Sequence, residues 1–451
     1  MGKNDDALGW PTVARLLRAH TQEILLSPTK YPRLSSRMRP VTIARPSISN
    51  SGINPKDAKN MNLGIKCALA AALISTCAVA TIGYAANDRS DAVKSATDNV
   101  VLPIMTKYGI PGMAVGIVAD GQSYVFNYGV ASRQDQRPVT RDTLFEIGSV
   151  SKTLTATLAS WAQATGQLSL SDKTEKYLPN LQGSPFGNVT LLELGTHTPG
   201  GMPLQVPDDV RNEAQLMRYL EAWQPAYSPG TYRTYSNVSI GMLGLITATS
   251  MGQKDFAVPL SRHLLSPLGM KNTYIDVPKA RMADYAQGYA KDGAPVTTTP
   301  DVLSSKTYGV KTTAADLLRF VQANMGDVKL DKPLQQAITD THTAYFKAGP
   351  MTQDLIWEQY PYPVALKTLI AGNSPSITFD ATPVDAIKPS QAPQPQVWIN
   401  KTGSTGGFGA YVAFVPARHM GIVILANRHY PNEERIAAAY RILTSLGLDA
   451  R

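Results

Sequence analysis

Residues 397–426 read VWINKTGSTGGFGAYVAFVPARHMGIVILA, and this stretch decides the fold. Three runs in it, Val397–Lys401, Ala410–Val415 and Gly421–Ala426, have the branched and aromatic composition of strands. A glycine-rich turn and the segment around Pro416 separate them. Far upstream, Met113–Ala119 and Ser123–Val130 are two more such runs, joined by the hairpin signal Asp120-Gly121-Gln122. Between these ends the pattern turns helical. Ser149 to Ala164 reads as a helix stopped by Gly166, and residues 166–310 alternate helical stretches with Pro/Gly loops. Asp91 to Tyr108 carries an apolar stripe of Val93, Ala96, Val100, Val101, Ile104 and Met105, and a last helix spans about Glu433 to Leu446. Residues 373–396, rich in Pro, Ser and Ala, read as a long loop.

This order predicts an α/β protein: an antiparallel sheet built from both ends of the chain, flanked by the terminal helices, with a mainly helical domain inserted. The expected boundaries are 86–165 with 310–451 for the α/β domain and 166–309 for the helical one. A cleft between them is the natural place for a site.

The chain has 451 residues, 43% apolar and 17% charged, which excludes a disordered protein. Its net charge of +9 is uneven: residues 1–85 carry +7, with 11 Lys/Arg against 4 Asp/Glu, and the other 366 carry +2. The body therefore gives no reason to expect nucleic acid as a partner. The only cysteines, Cys67 and Cys77, lie in MNLGIKCALAAALISTCAVATIGYA, residues 61–85. One lysine, an apolar run and a small-residue end read as a secretory signal peptide cleaved after Ala85, which implies the periplasm. An uncleaved anchor is the alternative, since about 20 apolar residues suffice to span a membrane. Residues 1–60 have no regular pattern and read as a non-native or disordered extension. A mature chain without cysteine has no disulfide and no thiolate nucleophile. The histidines show no ligand spacing, so no metal site is expected.

Three short motifs carry the chemistry. Ser149-Val150-Ser151-Lys152 is an S-x-x-K at a predicted helix start, where three residues are nearly one turn and the amine can lie beside the hydroxyl. The helix N-terminus suits a nucleophile that develops an oxyanion. By itself the motif is weak, because an N-cap serine with a surface lysine reads the same way and Ser27-Pro28-Thr29-Lys30 also fits. Tyr235-Ser236-Asn237 offers a phenol, whose phenolate neighbouring ammonium groups would favour, and an amide that both donates and accepts. Alone it is a capping turn. Lys401-Thr402-Gly403, at a strand end, offers two groups for a substrate carboxylate and a glycine against which a ligand can lie.

In this order, S-x-x-K, Y-S-N and K-T-G resemble the signature of serine β-lactamases and penicillin-binding proteins. The segments FEIGSVSKT, MPLQVPDDV, YSNVSIGMLG, INKTGSTGGFGAYVAFVP and GIVILANRHYPN resemble class C (AmpC-type) β-lactamases, over essentially all of residues 90–448. The resemblance implies a periplasmic, cofactor-free, monomeric enzyme that hydrolyses cephalosporins through an acyl-enzyme and confers antibiotic resistance. It implies Ser149 as nucleophile and Lys152 and Tyr235 as the proton-transfer pair. Lys401 would serve both a Tyr235 phenolate and the substrate carboxylate. Gln205 and Asn237 would grip the acylamino side chain, and Thr402 would face substrate. Asn432 would lie near its carboxylate, Tyr308 would form a pocket wall, and the amides of Ser149 and Ser404 would hold the oxyanion. Asn400 departs from the family, where many members have histidine. His197 reads as structural, and Arg428 and Arg435 read as surface cations. Two rivals share the fold: a DD-peptidase or esterase, and a membrane-tethered β-lactam sensor.

Overall fold

The computed structural model describes residues 89–448. The expected extension (1–60) and signal peptide (61–85) lie outside the described residues.

One sheet organises the chain. Its strands are β1 (Gly112–Ala119), β2 (Gln122–Gly129), β3 (Ala344–Ala348), β4 (Met351–Gln353), β5 (Glu358–Pro361), β6 (Asp385–Gln391), β7 (Val397–Ser404), β8 (Gly409–Val415) and β9 (Met420–Ala426). The spatial order is β6-β3-β4-β5-β7-β8-β9-β1-β2, so the C-terminal strands continue directly into the N-terminal hairpin. Every pairing is antiparallel, with Val115 opposite Ile424 and Tyr411 also opposite Ile424. The β1–β2 turn is Asp120-Gly121, both with positive φ (52° and 70°), the twist that a tight hairpin requires.

Both faces of the sheet are covered. Met113, Val115 and Ile117 of β1, with Tyr411, Ala413, Ile422 and Ile424, pack against the first helix, α1 (residues 89–108), and the last, α7 (Asn432–Ser445). Ala114, Val118, Val412, Phe414, Val423 and Leu425 face the other way. They pack against α2 (Ser151–Ala164) and α4 (Ala314–Asn324). Alternate side chains thus enter different cores, which is why these strands are apolar throughout. A third core gathers Leu191, Leu194, Leu216, Leu220 and one side of α2 around α3 (Asn237–Ser250). That helix is buried almost all round, as its composition demands.

Residues 373–396 correct the sequence reading. They are not one long loop. After α5 (Leu366–Gly372) comes the short helix α6 (Pro375–Phe379), then the pair Thr382–Pro383, then edge strand β6. An edge strand tolerates proline and polar residues because one side of its backbone pairs with nothing, and this erased the strand pattern. Strands β3, β4 and β5 were likewise missed, being only five, three and four residues long.

Candidate active site

The site is built where the end of β7 meets the start of α2. Gly148 has φ +50°, and a Cβ there would lie 2.5 Å from the backbone N and O of Ser404. A Cβ on Gly403 would lie 2.0 Å from the carbonyl oxygen of Ile147. Two glycines therefore let strand and turn touch backbone to backbone, which brings the peptide units of Ser149 and Ser404 together.

Ser149 sits in the 3-10 turn Gly148–Val150 and is partly exposed. Lys152, one turn on, is fully buried. Its ammonium donates to Ser149 Oγ at 2.9 Å and to the Thr307 carbonyl at 3.2 Å. Burial pushes the Lys152 pKa down, with help from the Lys401 charge and against the pull of Tyr235. A buried lysine with a lowered pKa is closer to serving as a base than a surface one.

Tyr235 follows the extended pair Tyr232–Arg233 and precedes Ser236, whose hydroxyl caps α3 by accepting from Ser239 N–H at 3.0 Å. The cap fixes where the chain turns and so where the phenol stands. Its ring centre is 5.3 Å from Lys152 Nζ and 5.1 Å from Lys401 Nζ. Burial opposes ionisation of the phenol, but the two ammonium groups and a hydrogen bond with Ser149 outweigh it. Its pKa falls below the ordinary phenol value although Glu358 acts against this. His197 packs tilted against the same ring at 4.5 Å between centres, and its Nδ1 accepts from Ser236 N–H at 3.2 Å. Burial and the charges of Arg233, Lys152 and Lys401 hold this imidazole neutral. It supports the tyrosine turn, as a structural residue would.

Lys401 is 2% exposed, and its ammonium lies 3.2 Å from Glu358 Oε1. Arg233, 1% exposed, reaches the same oxygen at 3.4 Å. Burial works against the Lys401 charge, but Glu358 and Tyr235 raise its pKa overall. Asn400, cross-strand from Glu358, donates to the other carboxylate oxygen at 3.2 Å. Its Oδ1 accepts from Tyr411 at 3.0 Å, so the amide bridges Glu358 and Tyr411.

Gln205 and Asn237 come together: Asn237 Nδ2 donates to Gln205 Oε1 at 2.9 Å, and Asn237 N–H to the Leu204 carbonyl at 2.8 Å. Thr402 and Ser404 are partly exposed along β7. Tyr308 donates to Asp301 at 2.5 Å, beside the Thr307 carbonyl that holds Lys152. Asn432 is the first residue of α7 and partly exposed.

Arg435, one turn beyond it, corrects the reading as a surface cation. It is fully buried. Its Nη1 donates to the Gly403 carbonyl at 2.6 Å and to Ser404 Oγ at 2.8 Å, and Nη2 donates to the Tyr430 carbonyl. A cation placed beneath the β7 end turned inward because Gly409 leaves it room: a Cβ there would lie 2.8 Å from the guanidinium carbon. Arg428 is also only partly exposed, tying the Gly109 and Lys291 carbonyls together.

The sequence reading missed Glu358 and Arg233. Arg233 lies two residues from Tyr235 on extended chain, on the same side, which was a usable signal. Glu358 was visible only as a lone acid in the apolar run Ile356-Trp357-Glu358-Gln359-Tyr360.

A family model for β-lactamases matches residues 97–446. A crystal structure of a class C β-lactamase in complex with cefoxitin is 50% identical, with a TM-score of 0.77 over 79% of this chain and 99% of that one. The chain belongs to the class C β-lactamases. Among this family of β-lactam hydrolases, a β-lactamase of Lysobacter lactamgenus is 52% identical over 347 residues, covering 77% of this chain and 90% of that protein. The crystal structure of D-alanine carboxypeptidase AmpC from Burkholderia cenocepacia is 64% identical, with a TM-score of 0.76 over 79% of this chain and 99% of that one.

Proposed function

We propose that this class C β-lactamase opens the lactam ring of cephalosporins through an acyl-enzyme on Ser149. The observation that carries the reading is the 2.9 Å contact between Lys152 Nζ and Ser149 Oγ, beside a phenol flanked by two ammonium groups. Ser149 Oγ attacks the lactam carbonyl, and its proton passes through Lys152 or Tyr235 to the leaving nitrogen. The amides of Ser149 and Ser404 hold the oxyanion. Water then attacks the ester, with Tyr235 taking its proton, and Ser149 leaves. Lys401 stabilises the Tyr235 phenolate and meets the substrate carboxylate, while Gln205 and Asn237 hold the acylamino group. No step calls for a metal, and a monomer suffices.

The test is nitrocefin hydrolysis by the purified enzyme, with mass spectrometry of the protein quenched during turnover. Fast turnover with a drug-sized adduct on the Ser149 peptide is expected. Activity without such an adduct, or activity lost in EDTA and restored by zinc, refutes the mechanism.

The 64% identity to a protein called a D-alanine carboxypeptidase favours a second reading, in which a peptide ending in D-alanyl-D-alanine is cleaved by the same serine. Release of D-alanine at a rate rivalling nitrocefin turnover would support it. For location we propose export to the periplasm with a mature start near Ala86. N-terminal sequencing of periplasmic enzyme tests this, and residues 1–85 intact on active periplasmic protein would overturn it.

A further inference from the structure

Lys152 Nζ faces Ser149 Oγ at 2.9 Å, the Thr307 carbonyl at 3.2 Å and the hydrogen-bonded Tyr235 side chain. In the proposed chemistry Ser149 and Tyr235 exchange protons. The carbonyl only accepts. The N–H aimed at it is therefore the fixed reference that points the rest of the nitrogen at the reacting oxygens. Whatever fixes the Thr307 carbonyl in turn fixes Lys152.

That carbonyl ends the single helical turn Ser304–Thr307. So short a helix does not hold itself. It lies against α3, where a Cβ on Gly241 would come within 2.9 Å of Leu303 Cβ and 3.1 Å of Thr307 Cγ2. The Lys306 carbonyl accepts from Thr155 Oγ1 of α2 at 2.8 Å. Asp301 closes the turn from outside. Its Oδ1 accepts from Leu303 N–H at 2.9 Å, just before the turn. Its Oδ2 accepts from the Tyr308 hydroxyl at 2.5 Å, just after it. Its backbone carbonyl accepts from Ser304 Oγ at 2.9 Å. One residue thus clasps both ends of the turn. Burial and this carboxylate push the Tyr308 phenol up, so it keeps its proton and stays the donor.

We propose that Asp301 is a positioning residue for Lys152: by clasping the Tyr308 hydroxyl and the Leu303 amide, it holds the Thr307 carbonyl where it aims the lysine nitrogen at Ser149. The inference rests on the acyl-enzyme reading above. It gives the Tyr308 hydroxyl a task apart from substrate, that of holding the turn. Without the clasp, the buried lysine N–H is left with an acceptor that drifts, which is costly. Asp301 also acts at a distance. Burial lowers the Lys152 pKa, and the Asp301 charge opposes this, though less than Tyr235 does. Position and charge are separable by experiment.

Single-turnover hydrolysis of nitrocefin gives an acylation rate constant and a substrate dissociation constant for each variant. Tyr308→Phe removes only the hydroxyl. Acylation should slow roughly tenfold, about the value of one charge-assisted hydrogen bond, with the dissociation constant changed by less than about threefold. Asp301→Ala should slow acylation at least as much. Adding Tyr308→Phe to it should slow it no further, since the contact is already broken. Asp301→Asn loses the charge but keeps both contacts, accepting from Leu303 N–H and donating to the Tyr308 oxygen. It should acylate within about threefold of wild type. Undiminished acylation in Tyr308→Phe, a change confined to the dissociation constant, or additive losses in the double variant overturns the inference. So does an Asp301→Asn enzyme as slow as Asp301→Ala, because charge and not position would then be the cause. If Asp301→Ala fails to fold, Tyr308→Phe and Asp301→Asn decide between them. All these results leave the acyl-enzyme reading standing. A wild-type enzyme that forms no adduct on Ser149 overturns both.

Discussion

At the floor of the cleft, Gly403 and Gly148 let β7 and the start of α2 meet with no side chain between them. Along the segment of residues 373–384, contact with the rest of the site runs through a few hydrogen bonds: Asn373 to Asn400, Arg233 to Ile377, and the short pairing of Thr382 with Arg233. The floor is set by packing, and any added atom displaces backbone. That segment is held by polar contacts that can be exchanged singly, with Ile377 packed beneath it in the core. One fold can therefore hold Ser149 rigidly and still vary the segment beside it.

Substitutions graded from the floor to that segment test this contrast. Ser149→Ala removes the nucleophile and nothing else that packs. Turnover should fall by about 10⁴-fold or more with the thermal midpoint unchanged, and a loss within tenfold would place the nucleophile elsewhere. Tyr235→Phe removes one oxygen and should cost about 10²–10⁴-fold in both acylation and deacylation, seen in single-turnover and steady-state rates. In the proposed deacylation the active form is the phenolate, and the two ammonium groups beside Tyr235 lower its pKa. Wild-type kcat/KM should therefore decline as pH falls through a value below the free phenol's roughly 10. The variant should lack that limb.

Gly403→Ala puts a methyl against the Ile147 carbonyl. Denaturant unfolding should show a loss of about 1–3 kcal/mol, with a lower kcat, whereas an unaffected enzyme would show that the floor yields. Asp354, on the connection that leads to Glu358, is fully buried, and neither of its carboxylate oxygens has a partner among the described residues. Burial raises its pKa well above the usual range, so the folded state takes up a proton. Its contribution to stability is then complete below the unfolded value of about 3.9 and is lost with rising pH, by about 1.4 kcal/mol per unit, until the folded pKa is passed. Asp354→Asn should be the more stable protein near neutrality and lose that advantage below about pH 4 in urea titrations. An advantage that does not change with pH would mean that Asp354 is ionised in the fold. Phe379→Ala, on the 373–384 segment, should change stability by less than about 0.5 kcal/mol, yet alter the relative rates of bulky and compact cephalosporins by a few-fold. Equal effects on both would remove the segment from specificity.

The legibility of the site follows the same division. Ser149 and Lys152 were readable because a helical turn brings third neighbours together, so the contact is written in the spacing. Strands β1, β8 and β9 were readable because both their faces are buried, which makes each a continuous apolar run, and β2 was readable from the hairpin signal that joins it to β1. Arg435 was misread because charge says nothing about direction, and a surface and a buried arginine look alike until Gly409 is seen to make room beneath β7.

The sequence by itself determined the local chemistry: a hydroxyl with an amine one turn away, a phenol before a capped helix, a lysine ahead of a glycine on a strand. It also determined the family, through motifs in a set order. Only the tertiary structure decided which charges pair. Lys401 and Glu358 are 43 residues apart, Arg233 and Ile377 are 144 apart, and Lys152 and the Thr307 carbonyl are 155 apart. Periodicity reaches across one turn or one pleat. Contacts between segments so distant exist only once the sheet has closed and excluded water, because burial is what obliges Arg233, Glu358 and Lys401 to find one another.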